Sequence, residues 1–406
     1  MLCRTALATL AATGLLLAGC GTAGETVIPA EPAERGGADL GLGPGVRPLT
    51  FGPGDKGSPR WRPSGDRLAF VLDGYVVDKP PDSRELRRRT TRDFGAEEVE
   101  WVSSGNDLTI LGPDLSGADP SSQKGEEAPR AIYRTSPGAE EGLGVDEIAT
   151  GVLAMSPLSG RKLLVAKKME ASTSALVKIT DDGELSRAYP FAVEGKISGL
   201  SVSPDGSKVV AAVRQEPSGS FGVHVFDLSK GTSRRFSDLA EGQEVFGAPQ
   251  WTKRGIFYAA GEAQTEGSED AAPYDLYRLP LHPGDPKPVA SVGEDFVASS
   301  LKVSPDGERL AIVGRRNPNS PTELYVLDLV TGVLEAATAN ENMEIKTGPD
   351  DLAWSADGEH IAIVARGILS GHRVYAVRAD SLLADFYNIY DVPVADLDPA
   401  EESQAG

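Results

Sequence analysis

The chain has 406 residues and a formal net charge of −20. Because binding to phosphate needs a basic face, this charge argues against nucleic acid as a partner. With 46 Gly, 29 Pro, only two Cys and no long amphipathic helical period after the N-terminus, the composition favours an all-β chain and excludes a disulfide scaffold.

The N-terminus has the features of a lipoprotein signal peptide. Arg4 precedes an apolar run, Thr5 to Ala18, that is short for a membrane span. The run closes with Leu17-Ala18-Gly19-Cys20, which resembles a bacterial lipobox, whose cysteine is diacylated and becomes the first residue after cleavage. We therefore predict a signal peptide at 1–19, lipid on Cys20 and an extracytoplasmic chain anchored to the cell membrane. The alternative is an ordinary secretory signal that contains a cysteine.

A tether and a single strand follow. Residues 20–46 comprise Cys20 and a segment rich in Gly, Ala, Pro and Glu without apolar periodicity, which predicts a flexible tether. Residues 47–51 are predicted to form a short strand that has no hairpin partner of its own.

A strand–turn–strand unit then recurs seven times. In its clearest copy, Pro305 presets φ for the turn, Asp306 can bond back to nearby backbone N–H groups and Gly307 takes positive φ. The copies begin at Trp61, Trp101, Met155, Val202, Trp251, Val303 and Trp354. Their spacings of 40, 54, 47, 49, 52 and 51 residues are typical of propeller blades.

Each blade is predicted to have four strands, with the repeated turn joining the innermost strand to the second. In the fourth copy the strands are predicted at 199–203, 208–213, 222–228 and 233–237, and in the sixth at 301–304, 309–314, 323–329 and 333–337. The seventh copy has candidates only at 351–355, 360–365 and 373–378. We expect the strand at 47–51 to complete this blade, which would close the ring and remove an exposed edge.

The predicted fold is thus all-β: a single β-propeller over 47–380 with seven four-stranded blades, closed by its N-terminal strand. Six blades are the alternative if the first is degenerate. An acidic tail is predicted at 381–406, with an aromatic patch at 386–390 that packs on a blade flank.

One basic cluster interrupts the acidic sequence on the predicted outer strand of blade one; it comprises Arg84, Arg87, Arg88, Arg89 and Arg92. One interpretation is an edge strand that charge protects against aggregation. The other is contact with anionic lipid headgroups or wall polymers beside the membrane anchor.

The connections between second and third strands vary most in length; they lie at 112–129, 215–220, 261–273, 314–321 and 366–371. All emerge on one face of a propeller. That face is either a binding surface or a place where polar insertions are tolerated.

The turn sequences carry a family resemblance. Ser203-Pro-Asp-Gly206, Ser304-Pro-Asp-Gly307 and Ser355-Ala-Asp-Gly358 resemble the repeats of TolB-like and WD-like propeller proteins over residues 47 to about 380. The chain departs from TolB in lacking the N-terminal α/β domain and in carrying a lipobox, so it looks more like an actinobacterial propeller lipoprotein. The resemblance implies a scaffold rather than a reaction.

Motifs for catalysis or metal binding are not evident in the sequence. It has no G-x-S-x-G elbow, and its four histidines (His224, His282, His360 and His372) have no zinc spacing. The aspartates Asp205, Asp306 and Asp357 stand one per blade at equivalent turns, which favours turn capping over a shared metal site. Gly-rich segments lack the Lys or helix of a phosphate-binding loop. We therefore predict no catalytic residues, cofactor or metal.

The predicted function is a non-catalytic, lipid-anchored, extracytoplasmic interaction scaffold for cell-envelope proteins. The first alternative is a sensor that binds a small ligand or glycan in the propeller channel, and the second is an enzyme. The four Trp residues at the ends of innermost strands could serve a channel ligand or pack between blades; they are Trp61, Trp101, Trp251 and Trp354.

Overall fold

The computed structural model describes residues 27–28, 46–102, 107–115, 129–135, 144–158, 162–169, 173–180, 185–215, 219–239, 242–262, 274–281, 285–293, 295–340, 343–367 and 387–394. These form strands in seven separate antiparallel sheets, which confirms the seven-bladed, all-β prediction. The described residues contain no α-helix, only a 3-10 turn at Ala290–Val292. Nor do they include a helix with the length and apolarity needed to cross a membrane.

The strands of the first three blades are as follows. Blade one contains β1 (Val27–Ile28), β3 (Lys56–Trp61), β4 (Leu68–Leu72), β5 (Tyr75–Lys79) and β6 (Leu86–Arg88). Blade two contains β7 (Glu98–Trp101), β8 (Leu108–Pro113), β9 (Arg130–Thr135) and β10 (Val145–Thr150). Blade three contains β11 (Val152–Leu158), β12 (Lys162–Lys168), β13 (Thr173–Ile179) and β14 (Leu185–Glu194).

The remaining blades follow in chain order. Blade four contains β15 (Lys196–Val202), β16 (Lys208–Arg214), β17 (Phe221–Asp227) and β18 (Thr232–Asp238). Blade five contains β19 (Gln243–Trp251), β20 (Ile256–Glu262), β21 (Tyr274–Leu279) and β22 (Lys287–Pro288). Blade six contains β23 (Val297–Val303), β24 (Arg309–Arg315), β25 (Glu323–Asp328) and β26 (Leu334–Ala336). Blade seven contains β2 (Arg47–Pro48), β27 (Met343–Ile345), β28 (Leu352–Trp354), β29 (His360–Gly367) and β30 (Asn388–Pro393).

The innermost strands surround a central channel. β11, β15, β19 and β23 follow one another in contact, and β28 of blade seven contacts both β23 and β3. The contact between β28 and β3 brings the last blade against the first and closes the ring. Each innermost strand therefore presents one face to the channel, because side chains alternate along a strand.

Packing between blades explains the apolar second strands. Seven hydrophobic clusters each join two neighbouring blades, including the pair formed by blades seven and one. In β29, Ile361 and Ile363 pack toward blade six, whereas Ala362 and Val364 pack toward blade one. A strand buried on both faces needs a continuous apolar run, which is what these middle strands have.

The third strand of blade seven corrects the prediction. The structure places it at Asn388–Pro393, paired with β29, and not at 373–378, which lies outside the described residues. The propeller thus extends through residue 393 instead of ending at 380, and Tyr390 of the predicted tail is buried inside the last blade. The prediction was wrong because the interval between β29 and β30 is long, and the apolar run at 373–378 lies closer to β29 in the sequence.

The N-terminal closure is confirmed. β2 pairs with β30 as the outer strand of blade seven. Beyond it, the Leu49 N–H donates to the Ile389 carbonyl at 2.7 Å, and the Leu49 side chain is buried between blades seven and one. The Arg47 guanidinium donates from Nε to Asp391 Oδ2 at 2.8 Å. We call residues 46–50 the latch.

The tether prediction needs a correction at two residues. Val27 and Ile28 form β1, which pairs with β6 as a fifth strand of blade one. The other residues of the predicted tether up to 45, together with Cys20 and the signal peptide at 1–19, lie outside the described residues.

Candidate functional site

The repeated turns are built as the sequence predicts. Ser203 donates its hydroxyl hydrogen to Asp205 Oδ1 at 2.6 Å, and the same oxygen accepts the Ser207 N–H at 3.0 Å. Gly206 has φ of 70° and donates its N–H to the Ser203 carbonyl at 2.8 Å. The Ser203 hydrogen bond lowers the pKa of Asp205 to about 2, the backbone and hydroxyl of Ser207 adding to it. Turn capping by the repeat aspartates is therefore confirmed, and Asp306 and Asp357 make the matching bonds.

A cavity of about 560 Å³ lies along the innermost strands. It reaches the end of the propeller that carries the repeated turns, since Pro204, Pro305 and Gly307 are among its lining residues. We call this end the turn face and the opposite end, from which the connections between second and third strands emerge, the loop face. The cavity volume falls in the range of natural ligand sites.

The channel wall is charged on one side only. Blades one, two, six and seven contribute Arg60, Glu98, Glu100, Lys302 and Asp350 to the lining. Blades three, four and five contribute only uncharged residues; these include the small Ala154, Ser156, Ser198, Gly199, Ser201 and Ala248 and the larger Leu153, Met155, Leu200, Phe246 and Trp251. The cavity thus has an ionic wall opposite an uncharged wall.

Part of the ionic wall occupies one level of the channel. The residue immediately before each repeat start contributes to the cavity lining; in blade order these are Arg60, Glu100, Ala154, Ser201, Gln250, Lys302 and Ala353. This ring was not among the features predicted from the sequence. Alternation from the aligned start residues would have found it, because the neighbour of a residue that packs between blades must face the channel.

Arg60 is the centre of the ionic wall. Its guanidinium donates to Glu100 Oε2 at 2.9 Å, to Asp350 Oδ1 at 2.6 Å and to Glu98 Oε1 at 3.3 Å. It also donates to the backbone carbonyls of Pro59 and Asp350, both at 2.9 Å. The side chain is only 5% exposed. One guanidinium therefore joins blades one, two and seven at the channel wall.

The three carboxylates around Arg60 share its charge unequally. Burial and the nearby Asp350 carboxylate raise the pKa of Glu98 to about 8, although Arg60 opposes this rise. The pKa of Asp350 is lowered, because Arg60 and Lys302 outweigh its burial. The difference follows from geometry, since Asp350 holds the shorter bond to Arg60. At neutral pH the proton of the cluster therefore resides on Glu98.

We expect replacement of Glu98 by glutamine to change how stability depends on pH. A raised pKa means that the folded chain holds a proton that the unfolded chain has lost, so this group weakens stability progressively as pH rises from about 4.5 to about 8. Glu98→Gln removes that loss and is expected to gain stability relative to wild type across this window. Urea unfolding at a series of pH values measures it; parallel profiles for the two proteins would contradict it.

Lys302 is the second cation of the ionic wall. Burial and the neighbouring Arg60 lower the pKa of its ammonium, against the opposing effects of Asp350, Glu100 and Glu98. Among the described residues, no hydrogen-bond acceptor or carboxylate lies within pairing distance of its Nζ. Its backbone carbonyl accepts the indole N–H of Trp354 at 2.9 Å.

The tryptophans mainly join blades. Trp101 of blade two donates its indole N–H to the Arg60 carbonyl of blade one at 2.8 Å, and Trp354 makes the equivalent bond from blade seven to blade six. Both rings lie beneath a guanidinium, Arg62 over Trp101 and Arg309 over Trp354. Trp61, Trp251 and Trp354 also contribute to the cavity lining.

The arginine cluster of blade one is divided by the structure. Arg89 is 5% exposed and donates to both oxygens of Asp78, at 2.8 and 3.2 Å, so it takes no part in an anion-binding surface. Arg84, Arg87 and Arg88 are half-buried, and Arg92 is exposed. The edge interpretation changes as well, because β1 covers the strand that carries Arg87 and Arg88.

Two of the four histidines are described. His224 is buried in the third strand of blade four with its ring stacked on Phe226, and His360 Nδ1 lies 3.0 Å from Asp391 Oδ1 beside the latch. His282 and His372 lie outside the described residues. Within the described residues, no set of three or more His, Cys, Asp or Glu side chains is placed to hold a metal ion.

His224 is expected to contribute to acid sensitivity. Burial, followed by the charge of Arg235, lowers its pKa to about 4. Between pH values of about 4 and about 6.5, His224 binds a proton in the unfolded chain but stays neutral in the folded chain. Stability is therefore lost as pH falls from about 6.5 to about 4. His224→Phe cannot titrate, so its free energy of unfolding should fall by about 2 kcal/mol less than that of wild type over this interval. This value includes a reduction for the remaining contact of the imidazole with water. Urea unfolding at both ends of the interval tests this; equal losses in the two proteins would refute it.

Large apolar side chains are exposed at both faces. On the loop face, Leu115 (46% exposed) follows the second strand of blade two and Met169 (58%) that of blade three. On the turn face, Leu281 (42%) and Val330 (55%) follow the third strands of blades five and six. Much of the predicted long connections, including 116–128 and 263–273, lies outside the described residues.

Comparison with known proteins supports the fold. No family model and no curated protein sequence matches the chain. Among solved structures, oligogalacturonate lyase from Vibrio parahaemolyticus is similar, with a TM-score of 0.56, 12% identity and coverage of 92% of this chain and 99% of the lyase. The β-propeller domain of the Trilobed protease from Pyrococcus furiosus, which has an open velcro topology, is similar with a TM-score of 0.52, 12% identity and coverage of 79% and 93%.

A putative TolB from Agrobacterium tumefaciens is also among the similar structures, with a TM-score of 0.39, 14% identity and coverage of 75% of this chain and 88% of that chain. At such identities the comparisons show the fold alone. The chain is a seven-bladed β-propeller closed by its N-terminal strand.

Proposed function

We propose that this chain is a non-catalytic β-propeller that binds protein partners in the cell envelope while lipid on Cys20 holds it outside the cytoplasmic membrane. The anchor is supported by the apolar leader that ends in Leu17-Ala18-Gly19-Cys20. The binding role is supported by the loop face, where the variable connections between second and third strands emerge.

The observation that carries the proposal is the pair of exposed apolar side chains on the loop face. Leu115 and Met169 occupy corresponding places in neighbouring blades, each just after a second strand. Together with the variable connections that emerge on the same face, these side chains offer apolar contact area to a protein partner. The closed ring supplies a rigid base for such a contact, since Arg60 and the latch join blades one, two and seven.

In-cell cross-linking of the tagged protein tests the proposal. A recurrent envelope protein should be captured by wild type and lost in the double variant Leu115→Ser/Met169→Ser. The matched control is Leu281→Ser/Val330→Ser, which removes similar side chains from the turn face and should leave capture unchanged. Cys20→Ala tests the anchor separately, since capture should then fall with release from the membrane. Equal capture by the two double variants would disprove binding at the loop face.

The arginines of blade one extend the proposal toward the membrane. Arg84, Arg87, Arg88 and Arg92 remain candidates for contact with anionic headgroups or wall polymers, whereas Arg89 does not. Association with anionic vesicles that weakens with salt, and that an Arg84→Ala/Arg87→Ala/Arg92→Ala variant lacks, would support this contact. Salt-independent association would exclude it.

A second candidate function is binding of a small ligand in the channel. It is favoured by one observation, the cavity of about 560 Å³ with an ionic wall. This function does not depend on the loop face, and both could operate in one protein.

A further inference from the structure

Within the part of the chain that the structure describes, one cation of the ionic wall makes no hydrogen bond or ion pair. Arg60 is committed to three carboxylates and two backbone carbonyls. Arg130, which also lines the cavity, donates to the Leu153 carbonyl and lies 3.6 Å from Glu97. Lys302, which lines the cavity, has no equivalent bond among the described residues, and the carboxylates of Asp350, Glu100 and Glu98 act on its ammonium only through space. A partly desolvated ammonium in this position is stabilised by an anionic partner.

The uncharged wall offers few free polar groups that could recognise a ligand. Ser201 Oγ accepts the Trp251 N–H at 3.2 Å. The Gln250 amide donates to the Ala248 carbonyl at 2.9 Å and accepts the Val303 N–H at 3.3 Å. These polar groups already connect neighbouring strands and blades. Specific contacts to a ligand must therefore come mainly from the ionic wall.

The carboxylates determine what else the ligand must carry. Asp350 is 38% exposed, and Glu98 and Glu100 are 18% and 20% exposed, so each retains accessible surface beside its bond to Arg60. A simple anion would meet the carboxylates of Glu100 and Asp350, and a simple cation would meet Arg60 and Lys302. A ligand with an anionic group for Lys302 and uncharged donors for the carboxylates avoids both conflicts.

We propose that the channel binds a small hydroxy acid, with its carboxylate on Lys302 and its hydroxyl groups donating to Asp350 and Glu100. Hydroxyl donors suit this wall better than an ammonium group, because burying a further charge beside Arg60 and Lys302 would add a desolvation cost. The proposal rests on the second candidate function above and names the chemical class of its ligand.

Calorimetric titration of the chain from Cys20 onward with three probes of equal carbon number tests the class. D-gluconate has a carboxylate and hydroxyls, D-sorbitol has hydroxyls only and hexanoate has a carboxylate only. We expect gluconate to bind at least about tenfold more tightly than either of the others. Lys302→Met should weaken gluconate binding by at least about tenfold. Lys253→Met is the matched control, because Lys253 pairs with Glu308 on the turn face outside the cavity, and it should bind normally.

The outcomes separate this proposal from the function on which it rests. Failure of gluconate to bind, or binding that Lys302→Met leaves unchanged, would overturn the hydroxy-acid proposal. Binding of sorbitol that does not depend on Lys302 would also overturn it, yet the channel would remain a ligand site. Thermal unfolding of both lysine variants shows whether each is folded, so that a loss of binding can be assigned to the ammonium group.

Discussion

Replacing Arg60 with methionine is expected to lower the free energy of unfolding by about 3 kcal/mol. The substitution keeps an apolar side chain of similar length but removes the one guanidinium that holds Glu98, Glu100 and Asp350 at the channel wall. Glu98 holds a proton at neutral pH, so the repulsion would arise between Glu100 of blade two and Asp350 of blade seven, across blade one. Urea unfolding at neutral pH measures the effect.

Arg62→Met is the matched control for this prediction. Arg62 is two positions further along, pairs with the exposed Asp66 at 3.0 Å and should contribute less than about 1 kcal/mol. The deficit of Arg60→Met should shrink at acidic pH, because protonated carboxyl groups no longer repel. A loss no larger than that of Arg62→Met would mean that water in the channel replaces the guanidinium.

Removing the latch is expected to cause the second large loss of stability. A chain that starts after residue 50 should be less stable than one that starts at residue 46 by at least about 4 kcal/mol. Leu49 is 2% exposed between blades seven and one, so its loss leaves a cavity there. The ammonium of Lys79, which donates to the Leu49 carbonyl and is itself buried, would lose that partner.

The comparison of the two truncations isolates the latch, because both lack the leader and the residues up to 45. The shorter chain should also associate with itself, since β30 would become an exposed edge strand. Thermal unfolding and size-exclusion chromatography measure the two consequences. Equal melting temperatures would show that the ring is held by contacts between blades without this strand.

Only some residues of the channel site could be predicted from the sequence. The repeat alignment places Arg60, Glu100 and Lys302 at equivalent positions, so their convergence follows from strand alternation once the innermost strands are known. Asp350 could not be found this way. It lies in the segment between β27 and β28, where the innermost strand of blade seven is interrupted, and only the folded ring brings it to Arg60.

Burial likewise divides the predicted arginine cluster. The sequence does not distinguish the five arginines of the cluster, which are Arg84, Arg87, Arg88, Arg89 and Arg92. Only the structure shows that Arg89 forms a buried ion pair with Asp78 of the neighbouring strand. An ion pair between strands depends on their register, which local sequence does not specify for a charged outer strand.

By itself, the sequence determined the all-β class, the seven blades, the turn chemistry and closure by the N-terminal strand. These features are local or periodic: a Pro-Asp-Gly turn and an apolar run fold in the same way in each copy, and the copies can be counted. Only the tertiary structure decided the last strand at 388–393, the fifth strand of blade one and the charge cluster in the channel. Each depends on which separate segments meet: β30 pairs with β29 across a long interval, β1 pairs with β6, and Arg60 meets Asp350, 290 positions away. These contacts are neither local nor periodic, so packing and strand register in the folded ring determine them.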